Sequence, residues 1–569
     1  MTMLRHWVLT LGLVLAMSLA PVTADAGWQV GTCTETVRFL RKSDVPRQRE
    51  AYLSAARNET ESFQVLMRSD VPVAGVGLKA GDLRGPGGAV LPAADARLFR
   101  QHALHLTIPT HRNEAFEPGW YADALIPFRH PVTREPLPED ARLRAVPFDL
   151  PANETHGFLV DVHVPAKAKA GVYRGTYRLT AAGEKTVIIP VSLTVWDVAL
   201  PRVSTLRTAF GSPADRLRGY YRARAKAGEE PEPEDWAAVD LQCAEMLTRH
   251  RINATPPRDT LRPVRQEDGS WRIPDEQVEA LREFVDRWHV NALMVPRPTS
   301  IVGDPVTEGQ KLQAWLAAFD AAAAKLDRPG VLFYTYLKDE PNDPEAYRFV
   351  MRWGRAIRNA ESVVRVLVVE QTWTQNEQWG FLHGSVDIWC PLFSLFRPES
   401  AAARQAEGET IWTYTALCQG KPTPWWHIDW PLLNYRVPAW IAWRYRIRGL
   451  LYWGGLSFWK HVEDPWTQPE TYDRRNEKGK GPLWNGEGSI VYPGRACGYE
   501  GIAPSLRLKA LRDAIEDYEY LAILDRTGKA KAAEAVVLPL AGSWYEWKKD
   551  PAAYERARAR LAEMIAGGP

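Results

Sequence analysis

Two carboxylates stand side by side where a buried strand would meet solvent. Residues 331–337 are apolar or aromatic almost throughout and run directly into Lys338-Asp339-Glu340-Pro341. A strand that is apolar on both faces belongs in a parallel sheet covered by helices, and in barrels of that kind chemistry sits at the carboxyl ends of the strands. Acidic groups at such an edge are costly to maintain unless they are used. The bland alternative is a strand-end salt bridge to Lys338 or a neighbouring arginine. Pro341 is expected to hold Glu340 in extended geometry, because the proline ring crowds the preceding residue out of the helical region. An internal control comes from Asp275 and Glu276, which follow Pro274 and open an amphipathic helix. There acids favour the positive end of the helix dipole, so that pair is structural.

Adjacency limits what Asp339 and Glu340 can do. Glycosidases with two catalytic carboxyls place them on opposite sides of the scissile bond, about 5 Å apart when retaining and farther when inverting. Sequence neighbours cannot easily flank a sugar. They can act from one side if Glu340 protonates the leaving oxygen while Asp339 orients a nucleophile that the substrate supplies, its 2-acetamido group. Strict pleating sends successive side chains to opposite faces, so this requires the backbone to leave strand geometry at the edge.

The elements that must position them follow a readable rhythm. Residues 27–200 show short β-rich runs at 62–67, 158–164, 172–179 and 187–195 separated by Gly, Pro and Asn, the pattern of an antiparallel β-sandwich. Such a domain serves either as a binding module or as a support. Residues 201–503 change to strands spaced by helical stretches, with eight candidate strands at 206–210, 252–255, 292–295, 331–337, 364–369, 386–389, 410–415 and 449–453. Eight such strands make a (β/α)8 TIM-type barrel, in which 252–255 and 292–295 are the weakest members and an incomplete barrel is the alternative. The helix 275–289 illustrates the spacers, with Val278, Leu281, Phe284, Val285 and Trp288 on one face. The long Gly- and Pro-rich loop 460–503 is expected beside the active site. Residues 504–569 form a C-terminal helical segment, on which Glu516, Asp517 and Glu519 read as a solvated face.

Further binding candidates lie at the strand ends: Glu370 and Trp373 after the fifth strand, Trp389 at the sixth, Trp412 and Tyr414 on the seventh, Trp453 at the eighth, and His427, Asp429 and Trp430 in the loop after the seventh. Indole rings suit the apolar faces of sugars, and thirteen of the 24 tryptophans crowd into 373–484. A glycan or glycoconjugate is the expected partner. Two other readings use the same residues: a two-carboxylate glycosidase pairing Glu340 with Glu370 or Asp429, and a non-catalytic carbohydrate-binding protein, which would need the tryptophans but not the Asp-Glu pair.

Composition narrows the field. Arg5, an apolar stretch and Ala24-Asp25-Ala26 read as a secretory signal peptide at 1–26, so export to a periplasm or beyond is expected. No later run is long enough to span a membrane. Lys plus Arg number 71 against 69 Asp plus Glu, a balance that argues against nucleic acid. The five cysteines are far apart and no phosphate loop, HExxH or metal-ligand spacing occurs, so neither metal nor other cofactor is expected, nor a catalytic cysteine.

Asp339-Glu340-Pro341, Leu450-Leu451-Tyr452-Trp453-Gly454-Gly455, Gly486-Glu487-Gly488, Tyr492-Pro493-Gly494, Pro504-Ser505-Leu506-Arg507, Leu511-Arg512-Asp513 and Glu516-Asp517-Tyr518-Glu519-Tyr520 together resemble glycoside hydrolase family 123 and its uncharacterised relatives. The likeness runs through most of the chain past residue 26, since 165–201 also looks like the end of that family's N-terminal sandwich. It implies a retaining exo-β-N-acetylgalactosaminidase using neighbouring-group participation, with Asp339 matching the residue that steers the acetamido group and Glu340 the acid/base.

Overall fold

The computed structural model describes residues 28–257, 259–417 and 422–567. The predicted leader and Cys418 lie outside them.

Two sheets form the N-terminal part. Its strands are β1 Gln29–Thr34, β2 Ala51–Arg57, β3 Glu59–Arg68, β4 Val73–Lys79, β5 Arg97–Leu106, β6 Gly119–Pro127, β7 Phe148–Leu150, β8 His156–Val164, β9 Gly171–Thr180 and β10 Val187–Ala199. One sheet runs β1-β3-β8-β5-β6, and the path of the other is β2-β10-β9-β4-β7. The expected antiparallel pattern has one exception, since β2 pairs with β10 in parallel, Leu53 opposite Leu193. Both strands end against the barrel, where the Leu200 N–H donates to the Arg57 carbonyl at 2.9 Å. Between the sheets Phe63, Val65, Phe158 and Val160 meet Tyr177, Ile189, Val191 and Leu193.

The other face of the first sheet is also dry. Leu66, Phe99, Leu125 and Leu159 belong to the same core as the barrel helices, which is why β3 is buried almost end to end. Polar residues survive there only with partners: Ser62 donates to Asp161 at 2.6 Å and Gln64 to the carbonyls of Thr34 and Val37. The element that covers this face is helix α8, introduced below.

In the second part the parallel strands are β11 Arg207–Ala209, β12 Ala292–Val295, β13 Leu332–Asp339, β14 Val364–Val369, β15 Ile388–Trp389, β16 Thr410–Tyr414 and β17 Gly449–Leu451, in the order β11-β17-β16-β15-β14-β13-β12. Seven strands, not eight, make this nearly closed barrel. The stretch 252–255 pairs in no ladder. Its Ile252 and Ala254 are buried in the core, but Asn253 bridges the gap with its side chain, donating to the Thr208 carbonyl at 3.0 Å and to Asn291 Oδ1 at 2.8 Å, while its Oδ1 accepts from the Asn291 N–H. An asparagine amide carries the donor and acceptor of a peptide group, and Pro256 and Pro257 remove the next two backbone donors.

The helices are α1 Pro213–Ala227, α2 Trp236–Arg249, α3 Asp275–Trp288, α4 Gly309–Leu326, α5 Pro344–Asn359, α6 Pro398–Ala406, α7 Leu433–Arg444, α8 Leu506–Arg526, α9 Ala530–Val537 and α10 Pro551–Ile565. Asp275 opens α3 as expected, paired with Arg272 and Lys325. Helix α8 departs from expectation. Ser505 caps it, and every residue from Leu506 to Ala522 is buried. The side chains read as a solvated face are instead matched by partners on other elements: Glu516 by Arg251 at 3.0 Å, Asp517 by Arg436 at 2.6 Å, and Glu519 by the Thr205 hydroxyl at 2.7 Å. Lys509 reaches Asp161 at 2.7 Å and Arg507 reaches Asp123 at 2.9 Å. Charges can be carried out of water on these terms and on few others.

Candidate active site

Strand β13 begins with an ordinary pleat. Tyr334 and Tyr336 point into the barrel while Phe333 and Leu337 join the outer core. Continued, that alternation would turn Asp339 outward. The register against β14 shifts between Tyr336 and Lys338, however, leaving Leu337 as an extra residue, so that Lys338 pairs with Val368 and Asp339 with Val369. Val369 faces the barrel interior, and paired residues of neighbouring strands share a face. The bulge therefore re-aims Asp339 inward, a recurrent use of bulges beside active sites.

Glu340 is turned by a second device. Its φ is +37°, in the left-handed region, and its N–H donates to the Val369 carbonyl at 3.1 Å. The extended geometry expected from Pro341 is thus not adopted, because the hydrogen bond to β14 outweighs the proline's preference. The Glu340 carboxylate comes back over the rim and accepts from the Tyr414 hydroxyl. Asp339 Oδ1 accepts from the Tyr336 hydroxyl at 2.7 Å. Burial, then Asp339 and, more weakly, Glu340 push the Tyr336 phenol far above the usual tyrosine range, so both carboxylates bear on one hydroxyl. Both acids are exposed, and neither is in a salt bridge among the described residues.

Glu370 follows Val369 on β14 and therefore takes the opposite face, behind the strand end. It is 4% exposed and accepts from Tyr347 of α5 at 3.2 Å and from Gln375 at 2.9 Å and 3.1 Å. Burial raises its carboxyl to about 7, opposed by these donors and reinforced by Glu340. The expected role in substrate contact gives way to one beneath the site.

The remaining candidates divide. Tyr414 meets Glu340, as stated. Trp453 and Trp430 are half-buried, and Trp373 presents one ring face to Arg397, whose guanidinium lies 3.6 Å above it. Trp389 does not open on the rim. It packs in the outer core and donates to Glu409 at 2.6 Å. Trp412 fills the barrel interior against Tyr334, ring centroids 5.1 Å apart, and Gly449 opposite is required, since a Cβ there would lie 2.4 Å from the indole. Asp429 faces the N-terminal part, accepting from the Thr110 N–H at 2.8 Å, the Thr110 hydroxyl at 2.6 Å and Asn113 at 3.1 Å. His427 is buried, with Nε2 2.6 Å from Glu487 Oε2, and Glu487 Oε1 accepts from the Trp453 indole.

Tyr336, Gln375 and Glu487 were not singled out from the sequence as site residues. Tyr336 carried a signal, lying three residues before Asp339. So did Glu487, between two glycines with φ of +80° and +67°. A Cβ on Gly486 would meet Arg507 and Ile428 at 2.7 Å, and one on Gly488 would meet Phe458 at 2.9 Å. The loop 460–503 is indeed folded onto this rim through Glu487, Trp453 and His427.

A parallel barrel that delivers two exposed acids to the carboxyl end of one strand has the layout of an active site at that rim. Residues 309–524, from α4 to most of α8, match the model "Glycoside hydrolase 123, catalytic domain", and the protein is a glycoside hydrolase. A family 123 glycoside hydrolase from Clostridium perfringens, described for glycolipid glycan hydrolysis, is similar in structure over 95% of this chain and 98% of that one, with a TM-score of 0.62 at 13% identity. A Bacteroides ovatus GH5 xyloglucanase (TM-score 0.25, 8% identity, 86% of this chain and 100% of that one) and a glycosyl hydrolase family 2 member from Bacteroides cellulosilyticus (0.22, 9%, 70% and 44%) are too loosely similar to carry weight. No curated protein matches the sequence.

Proposed function

We propose that the protein is an exported, retaining exo-β-N-acetylhexosaminidase of galactosamine type in which the substrate's own 2-acetamido group is the nucleophile. The observation that carries this reading is the end of β13: a bulge at Leu337 and a left-handed Glu340 turn two adjacent acids to the same rim. In this scheme the acetamido oxygen attacks the anomeric carbon as the glycosidic bond breaks, Asp339 accepts from the acetamido N–H and steadies the positive charge of the closed ring, and Glu340 gives its proton to the leaving oxygen. Glu340 then takes a proton from water as that water opens the ring, which restores both carboxyls and the original anomeric configuration.

The positions of Glu370 and Asp429 favour this over a two-carboxylate mechanism, since one lies behind the strand and the other is bound to Thr110 and Asn113. The C. perfringens relative makes glycolipid glycans the first substrates to test. The deciding experiment offers matched aryl β-glycosides with and without the 2-acetamido group. The expected result is cleavage of the acetamido sugars alone, with retained configuration. Turnover of the 2-hydroxy sugars at equal or greater rate overturns the proposal.

A further inference from the structure

At the amino ends of the barrel strands, away from Asp339 and Glu340, a cavity of about 770 Å³ lies where the first sheet, the barrel and α8 meet. That is within the size range of small-molecule sites. Seven cationic side chains line it against four carboxylates. Three of those carboxylates are already engaged: Asp161 by Lys509 and Arg512, Glu516 by Arg251, and Glu245 by Arg249. The fourth, Asp95, is exposed. Arg97, Arg134 and Arg202 are left with no salt bridge among the described residues. The first two are nonetheless held in place by main-chain carbonyls, Arg97 by Pro131 at 2.5 Å and Arg134 by Ala94 and Ala96 at 3.0 Å and 2.7 Å. A guanidinium has five N–H donors, so among the described residues most of those on Arg97 remain unengaged, as do several on Arg134.

The surroundings bear the mark of this excess. The imidazole of His163 is held down to about 4, by burial first and then by Arg249, Arg251, Arg512 and Arg97. His250, also on the wall, is buried, with Nδ1 2.6 Å from the Met246 carbonyl and Nε2 lacking a partner among the described residues. Neither histidine belongs to the hydrolytic rim.

We infer that this cavity binds a small multivalent oxyanion, a phosphate or sulfate group, free or as a sugar ester. Fixed guanidinium forks match the paired oxygens of such groups, and a charge-assisted contact of this kind is among the stronger polar interactions available. The ligand would bridge the N-terminal sheets and the barrel, so occupancy stabilises their joint fold.

The test uses the full chain and follows its melting temperature and binding heat in inorganic phosphate, sulfate and pyrophosphate, and in galactose 6-phosphate and galactose 6-sulfate, each against chloride at equal ionic strength. The expected result is a saturable rise in melting temperature with at least one oxyanion and none with chloride. Response to the inorganic ions alone assigns a free anion, and stronger response to the esters a sugar ester. Arg134→Gln combined with Arg202→Gln should weaken binding by about tenfold or more, while Arg202→Gln alone, at an exposed position, guards against misfolding and should weaken it less. Asp339→Asn should leave binding unchanged. An unsaturable response, an identical response in the double variant, or one lost with Asp339→Asn overturns the inference.

Discussion

Asp339-Glu340 and Glu516-Asp517-Tyr518-Glu519 are two acidic segments of similar composition with opposite fates. The first ends a strand and lies in water, and among the described residues its carboxylates have phenol hydroxyls as their side-chain partners. The second lies within α8, fully buried, with Arg251, Arg436 and the Thr205 hydroxyl against it. In the buried segment desolvation still outweighs the cations, and Glu516 is pushed up to about 8. The lesson concerns access. A carboxylate with a hydroxyl beside it and solvent in front can be reached by a substrate, whereas one locked against a guanidinium within a core holds the architecture.

The contrast can be broken from either side. The largest effect is expected at the exposed pair. Glu340→Gln should lower kcat by about 10²–10⁴ on substrates with poor leaving groups, and Asp339→Asn should do so even with good ones, because ring closure fails. Both should leave the unfolding midpoint unmoved. Next comes Arg436→Met, which leaves buried Asp517 with the Trp440 indole N–H at 2.8 Å and the more distant Arg558 and should cost about 3–5 kcal/mol in denaturant unfolding. Third is Glu370, which belongs to neither class. Its carboxyl is raised to about 7 from an ordinary 4.5, so its stabilising share is complete below pH 4.5 and is lost as pH rises through 7. Relative to Glu370→Gln, the wild type should lose at most about 3 kcal/mol across that window, read from unfolding curves at pH 4.5 and 8. The smallest is Tyr414→Phe, which removes one hydroxyl from Glu340 and should lower kcat by a factor corresponding to about 1 kcal/mol.

Much of this was legible from residue types alone. The apolar run 331–337 announced a barrel strand, and the acids following it marked its carboxyl rim. Adjacency even implied that the backbone must leave strand geometry there, although nothing in the letters specified a bulge at Leu337 or a left-handed Glu340. What escaped was tertiary. Residues 252–255 have the composition of a strand, yet the side chain of Asn253 does the pairing. The helix at 506–526 carries charges that look hydrated, and no local pattern reveals that a sheet face and α10 close over them. Trp389 and Trp412 illustrate the same limit, since indoles for a core and indoles for a sugar are spelled alike.

Burial of α8 on all sides has a bearing on how the molecule is made and unmade. Helix α8, synthesised more than 400 residues after β3, completes a core that β3 begins. Any shorter nascent chain carries Leu66, Phe99 and Leu159 on an uncovered sheet face and leaves Asp161 without Lys509 and Arg512. Sandwich and barrel, distinct as architectures, are therefore expected to melt in a single cooperative transition, and removal of the C-terminal helices should cost the N-terminal sheets their fold as well.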